Sequence, residues 1–180
     1  KGQGGMVAVL GSTVEIIEKI LRDNGQNSNT QIANDNSESQ IVLSGNLDDL
    51  DKLILVLKEN DIKNVKLPVS APFHSSLMCN ATAIMSEKLN NLNFDQGENK
   101  LISNVTAKEI SNVDELKDLL ITQIEHRVRW RESVINMINY DVNHFIEIGP
   151  GKVLSGLVKR INKEVKINTI NNQGDIETLE

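Results

Sequence analysis

An α/β fold in two unequal parts is what the sequence predicts, and three observations predict it. Between residues 6 and 67, short apolar runs and amphipathic stretches follow one another as strand, helix, strand, strand, helix, strand. From residue 77 onward helices and strands alternate again, with too few strands to close a sheet core unaided. The chain has 180 residues, 39% of them hydrophobic, which suits a soluble protein with one good core or two small ones.

Each element has a local reason. Met6 to Leu10 is a short apolar run, and Gly11-Ser12-Thr13 follows with a turn and a capping hydroxyl. Val14, Ile17, Ile20 and Leu21 recur at helical spacing up to Asn24-Gly25, so a helix follows. Thr30 to Ala33 and Gln40 to Ser44 read as two strands of a hairpin, with Asn34 to Ser39 as its long polar tip. Gly45-Asn46 opens a second helix through Asn60, carrying Leu47, Leu50, Leu53, Ile54 and Leu57 on one face, and Lys63 to Leu67 closes as a fourth strand. The order βαββαβ is the ferredoxin-like arrangement, which says nothing about function by itself. Its expected extent is residues 5–69.

Pro68 to Met78 joins the two parts. Its prolines at 68 and 72 hold the segment extended, and His74 follows at once. Ser75-Ser76 offer capping hydroxyls ahead of an amphipathic helix from Leu77 to Leu92. Leu101 to Val105 reads as a buried strand, Val113 to Ile124 as a helix capped by Asn112 or Asp114, and Trp130 to Tyr140 as another helix with Trp130 as core anchor. His144 to Ile148 is a strand that Gly149-Pro150-Gly151 turns into a helix from Lys152 to Asn162. Such a turn leaves amides at a helix N-terminus that favour an anion, or serves only to pack the helix. Lys166 to Ile170 is a last strand. Residues 70–170 thus form the second part, and 171–180 are expected to be a loose tail.

The charge balance limits the partners. Nineteen basic and 25 acidic residues give a net charge of −6, which argues against a nucleic-acid binder with a broad basic face. No run is long enough to span a bilayer and no signal peptide is present, so the expected location is cytoplasmic, with no membrane partner. Lys1-Gly2-Gln3-Gly4-Gly5 has no initiator Met and leads directly into a strand, the pattern of a chain that begins partway through a fold. Cys79 is alone, which excludes an intramolecular disulfide, and is expected to be a small buried or half-buried apolar residue. His126, within Glu125 to Arg131, reads as part of a solvated helix junction, and His144 as a surface position. No spacing of histidines or carboxylates suits a metal, so no metal site is expected. His74, held by backbone on both sides, suits either chemistry or an ordinary loop. Asn34-Asp35-Asn36 suits turn chemistry or an amide rim for a polar ligand.

Taken together, Asn34-x-Asn36 with Gln40, Pro68-x-Ser70-x-Pro72-Phe73-His74-Ser75-Ser76-Leu77-Met78, Ser103-Asn104-Val105, Gln123 ahead of Val128-Arg129-Trp130, and Glu147-Ile148-Gly149-Pro150-Gly151-Lys152-Val153-Leu154 resemble the malonyl-CoA:acyl carrier protein transacylases. The resemblance is collinear over nearly the whole chain. It implies a ferredoxin-like subdomain inserted in an α/β-hydrolase-like acyltransferase core, of which residues 70–170 are the C-terminal part. The implied activity takes malonyl from malonyl-CoA onto a serine and passes it to the phosphopantetheine thiol of acyl carrier protein, in fatty-acid biosynthesis. No cofactor is implied, since malonyl-CoA is a substrate. By the same resemblance His74 matches the catalytic base, and Gln123 the residue whose main-chain carbonyl orients the imidazole. Asn34, Asn36 and Gln40 match the amide-rich segment facing the CoA or pantetheine arm, and Phe73 the bulky ring of malonyl-selective members. Lys152, Lys159 and Arg160, near one side of the last long helix, are docking candidates for an acidic carrier protein or ordinary solvated charge.

The departures from the pattern matter. No Gly-x-Ser-x-Gly elbow occurs, and Ser12, Ser44 and Ser155 lack the flanking glycines. The glutamine-bearing oxyanion motif and the malonyl-binding arginine are also absent, and Arg127, Arg129 and Arg131 do not occupy the arginine's motif. Glu38 and Arg127 stand where proline is usual, which is expected to loosen two loops. Three readings stay open. The first is the C-terminal portion of a malonyl transacylase, inactive alone and completed by an N-terminal portion in the same chain or as a separate partner. The second is an acyltransferase that stands alone, serving a polyketide synthase or a malonate decarboxylase. The third is a non-catalytic fragment or binding module.

Overall fold

Strand β1 (Gly4–Leu10) is the spine of the molecule, because both of its faces are buried from Gly4 through Val9. The computed structural model describes residues 2–25, 30–95, 97–177 and 179. Helix α1 (Val14–Asp23) follows, with Thr13 as N-cap, then β2 (Thr30–Ser37), β3 (Gln40–Asn46), α2 (Leu47–Glu59) and β4 (Lys63–Lys66). The strands form one antiparallel sheet in the order β2-β3-β1-β4, so the ferredoxin-like arrangement holds. Val7 and Val9 alternate with Met6 and Ala8 along β1, and this period of two sorts the core. Val7, Val9, Ile32, Ile41 and Leu43 pack with Ile17 and Leu21 of α1 and Leu50, Leu53 and Leu57 of α2. Each such Leu or Ile contributes about 1.5–3 kcal/mol by burial. Met6, Ala33 and Val42 form a smaller cluster with Leu67.

The hairpin differs from the expected long-tipped one. Strand β2 runs on through Asn34, Asp35 and Asn36 to Ser37, leaving Glu38-Ser39 as the turn. Two irregularities in the ladder, between Ile32 and Asn34 and between Asp35 and Ser37, let the strand continue. What overrides the turn-forming residues is distant in sequence. Asp35, 1% exposed, accepts from Arg131 through Nε at 3.0 and 3.1 Å and Nη2 at 2.8 Å.

The second part comprises a 3₁₀ turn (Ser76–Met78), α3 (Cys79–Asn90), α4 (Val113–Thr122), α5 (Trp130–Asn139), β5 (His144–Ile148), α6 (Val153–Ile161), β6 (Lys166–Ile170) and the short α7 (Gln173–Glu177). β5 and β6 pair in parallel. Leu101 to Val105 is not a buried strand: Leu101 is half exposed, and the segment makes an isolated bridge from Ile102 to Glu109 before turning at Ser103. Cys79 is exposed, because it starts α3 on the open side of the helix. Within the expected loose tail, residues 173–177 form α7, and the Asp175 carboxylate accepts from the amides of Asn171 and Asn172 at 2.7 and 3.2 Å. Among the described residues no helix is long and apolar enough to cross a membrane.

The two parts are sewn together at the free edge of β2. Val128 donates to the carbonyl of Ala33 at 2.8 Å and accepts from the amide of Asp35 at 2.9 Å, a parallel bridge opposite Asn34. Helices α5 and α6 pack on the same strand. Arg127, expected to loosen its loop, instead ties it to α1 through Glu18 at 2.8 Å.

Candidate active site

The Pro72 to Ser75 turn presents His74 through a backbone that side chains rarely adopt. His74 has φ +58°, in the left-handed region, where a residue with a Cβ carries a cost of about 1–2 kcal/mol. The neighbourhood holds it there. Ser75 is buried, and its hydroxyl donates to the Pro72 carbonyl at 2.7 Å instead of capping a helix, while Met78 donates to the Ser75 carbonyl at 2.9 Å. Ser76 donates its amide to Oε1 of Gln31, on β2, at 2.7 Å. Beneath the turn, the Pro72 ring lies directly on Gly4 of β1.

His74 Nδ1 lies 2.8 Å from the main-chain carbonyl of Gln123. A carbonyl only accepts, so Nδ1 carries the proton and Nε2 is left with its lone pair. Gln123 is the C-cap residue of α4, where helix carbonyls lack intrahelical partners, so this oxygen is available because the helix ends there. The Gln123 side chain is held separately, accepting from Asn104 Nδ2 at 3.3 Å. His74 and Gln123, 49 residues apart in sequence, are thereby brought together.

His74 stands between two openings. On one side a polar cleft of about 560 Å³ is lined by Glu18, Arg22, Gln31, Ser76, His126 and Arg127, among others. On the other an apolar groove of about 490 Å³ is lined by Phe73, Met78, Met85, Leu89, Leu120 and Ile124 together with His74 and Gln123. Phe73 is therefore beside the histidine. Asn34, Asn36 and Gln40 line neither opening: the asparagines are half-buried on β2, and Gln40 accepts from Arg160 Nη1 at 2.7 Å. The amide that does reach His74's cleft from β2 is Gln31. Its sequence carried no signal of this, because the residue sits outside every matched motif and acts through its contact with Ser76.

The Gly149-Pro150-Gly151 turn is closed by its own chain. Gly149 and Gly151 have φ +138° and +92°, which side chains disfavour, and they swing Glu147 back over the start of α6. Its carboxylate accepts from Leu154 and Ser155 amides at 3.1 and 2.7 Å, so the anion at this helix N-terminus is internal. Burial alone would raise the Glu147 carboxyl, but hydrogen bonds from Ser155 and from the Leu154 and Val153 amides outweigh it and hold the group below the ordinary carboxylate range. His126 donates from Nδ1 to the Thr122 carbonyl at 2.8 Å, and His144 Nε2 lies 2.8 Å from Asn168 Oδ1. Among the described residues, no group of three or more His, Cys, Asp or Glu could hold a metal ion.

A ferredoxin-like subdomain gripping a carbonyl-oriented histidine, followed by further α/β elements, is the arrangement that the acyltransferase resemblance implies. The malonyl CoA-acyl carrier protein transacylase of Bacillus subtilis is 38% identical over 181 residues, covering 99% of this chain. That of Staphylococcus aureus strain COL is 35% identical over 178 residues. Among solved structures, the corresponding protein of Clostridium perfringens superposes with a TM-score of 0.93 at 38% identity over 99% of this chain. The enzyme from Streptococcus pneumoniae superposes with a TM-score of 0.91 at 34% identity. No family model matches the chain. The chain spans 56% of the length of the Bacillus subtilis relative and 58% of the Staphylococcus aureus one. It is homologous to the C-terminal portion of the malonyl CoA-acyl carrier protein transacylases.

Proposed function

We propose that this chain is the histidine-bearing portion of an enzyme that moves malonyl from malonyl-CoA to the phosphopantetheine thiol of acyl carrier protein, for fatty-acid biosynthesis in the cytoplasm. The observation that carries the reading is the 2.8 Å contact between His74 Nδ1 and the Gln123 carbonyl, at the meeting of a polar cleft and an apolar groove. The names of the relatives supply the substrate pair.

The mechanism follows from the ring's orientation. Nε2 takes the proton of a serine hydroxyl as that oxygen attacks the malonyl thioester carbonyl. The imidazolium then returns the proton to the departing CoA sulfur, leaving malonyl-serine. In the second half, Nε2 takes the proton of the carrier's thiol as sulfur attacks, and returns it to the serine oxygen. A neutral carbonyl fixes the ring without adding charge beside the malonyl carboxylate, which distinguishes Gln123 from the aspartate of a Ser-His-Asp triad. Phe73, next to the imidazole, crowds an α-branched acyl unit. No cofactor enters the scheme, and the serine belongs to a Gly-x-Ser-x-Gly segment outside this sequence.

The coding sequence upstream of Lys1 is the first test: an in-frame Gly-His-Ser-x-Gly supports the proposal, and a stop codon opposes it. Intact-mass measurement of this chain with malonyl-CoA should show no covalent adduct, and a stable adduct would contradict a serine supplied from elsewhere. In the protein joined to its serine segment, His74→Ala should lower kcat/KM by roughly 10²- to 10⁴-fold. Gln123→Ala should cost only a few-fold, because the contact is main-chain; a loss equal to the histidine's would disprove the Gln123 role.

A further inference from the structure

The His74 turn is gripped by the ferredoxin-like subdomain at two points, and neither contact is made by a residue of the reaction itself. At Gly4, an added Cβ would meet Pro72 Cδ, Cγ and Cβ at 2.5, 2.6 and 2.9 Å, all closer than real Cβ contacts. The pyrrolidine ring is rigid, and Gly4 lies in the spine strand, so neither side yields cheaply. Pro72 is also the residue whose carbonyl receives the Ser75 hydroxyl, which spans Phe73 and His74. A displaced Pro72 ring therefore displaces the turn that holds His74 at φ +58°. The second grip is Gln31, whose Oε1 receives the Ser76 amide at 2.7 Å, immediately after the turn.

We propose that Gly4 and Gln31 are positioning residues for His74: the bare backbone at Gly4 and the amide oxygen of Gln31 set the turn so that Nδ1 meets the Gln123 carbonyl. The inference rests on the proposed role of His74 as base. Its consequence for the imidazole can nevertheless be read without any reaction.

Nitrogen-15 imidazole spectra of this chain at neutral pH report which ring nitrogen carries the proton. The wild type should show His74 as the Nδ1–H tautomer. Gly4→Ala and Gln31→Ala should each lower the ratio of Nδ1–H to Nε2–H by roughly five- to tenfold, the effect of losing about one hydrogen bond. Gln31→Glu keeps an acceptor oxygen for Ser76 and should restore the wild-type ratio. Pro72→Ala in the Gly4→Ala background removes Cδ and Cγ from the contact and should recover most of it. An unchanged ratio in either single variant removes that residue from the proposal. Gln31 is half-buried at the cleft rim, so Gln31→Ala retains the sheet and its result stands even where Gly4→Ala does not fold. In the protein joined to its serine segment, both variants should lower kcat in step with the tautomer ratio while KM for malonyl-CoA holds. Failure of the transacylase reading has a different signature: an intact Nδ1–H tautomer in a wild-type protein that transfers no malonyl.

Discussion

His74 carries a conformational cost as well as a proposed chemical role, and the two can be measured separately. A residue with a Cβ at φ +58° is disfavoured relative to glycine. Both His74→Gly and His74→Ala lose the bond to Gln123, so their difference isolates the backbone. His74→Gly should be the more stable of the pair by about 1 kcal/mol in denaturant titration, and equal midpoints would show that the turn relaxes once the imidazole is gone. The motif around His74 was legible in the sequence, since the prolines, the histidine and the distant Gln123 stand in recognisable order. The left-handed backbone was not, nor was Gly4 beneath Pro72, because both arise from the packing of segments that are far apart along the chain. Asn34, Asp35 and Asn36 misled for the same reason: their local chemistry favours a turn, and a guanidinium from α5 outweighs it.

At the scale of elements, amphipathic periodicity located α1, α2, α4, α5 and α6 within a residue or two, since each has a cap or a buried face. Leu101 to Val105 failed as a strand because an apolar run needs a neighbouring strand to pair with, and this segment folds back on itself in a short turn with a single bridge from Ile102 to Glu109. Two ties between elements have measurable strength. Arg131→Ala should cost about 3–5 kcal/mol, because Asp35, 1% exposed, is left buried without its partner. Replacing Asp35 and Arg131 together by leucine should cost less than either single change. At α6, Glu147→Gln should destabilise the protein at neutral pH by weakening the bonds to Leu154 and Ser155. The Glu147 carboxyl titrates lower in the folded state than in the unfolded one, so its contribution is full above the ordinary carboxylate value of about 4.3. It fades as pH falls through the depressed folded value. Thermal melts of the two proteins should therefore converge on acidification, and a gap that persists at the acid end would contradict the assignment.

At the scale of the whole molecule, the first part is a closed core and the second is more open. Ile148 and Val153 are 79% and 73% exposed, whereas the principal core residues around β1 are almost wholly buried. The sequence's count of strands points to a second part that does not close by itself, but not to the seam that joins the parts. Val128 looks like any apolar residue before a helix, yet its amide and carbonyl complete the edge of β2. That bridge has a consequence for the order in which the molecule opens. Ladder amides at Val9 and Leu43 exchange with solvent only when the sheet itself unfolds. The Asp35 and Val128 amides should instead exchange together, at a lower opening free energy, when the segment carrying Gln123 and Val128 lifts off the edge of β2. Native-state hydrogen exchange would reject this by finding the two amides uncoupled. Gln123 lies five residues before Val128 on that segment, whereas the His74 turn stays on β1 and β2 through Gly4 and Gln31, so each such opening separates carbonyl from imidazole, and its equilibrium constant sets how much of the population holds the histidine ready.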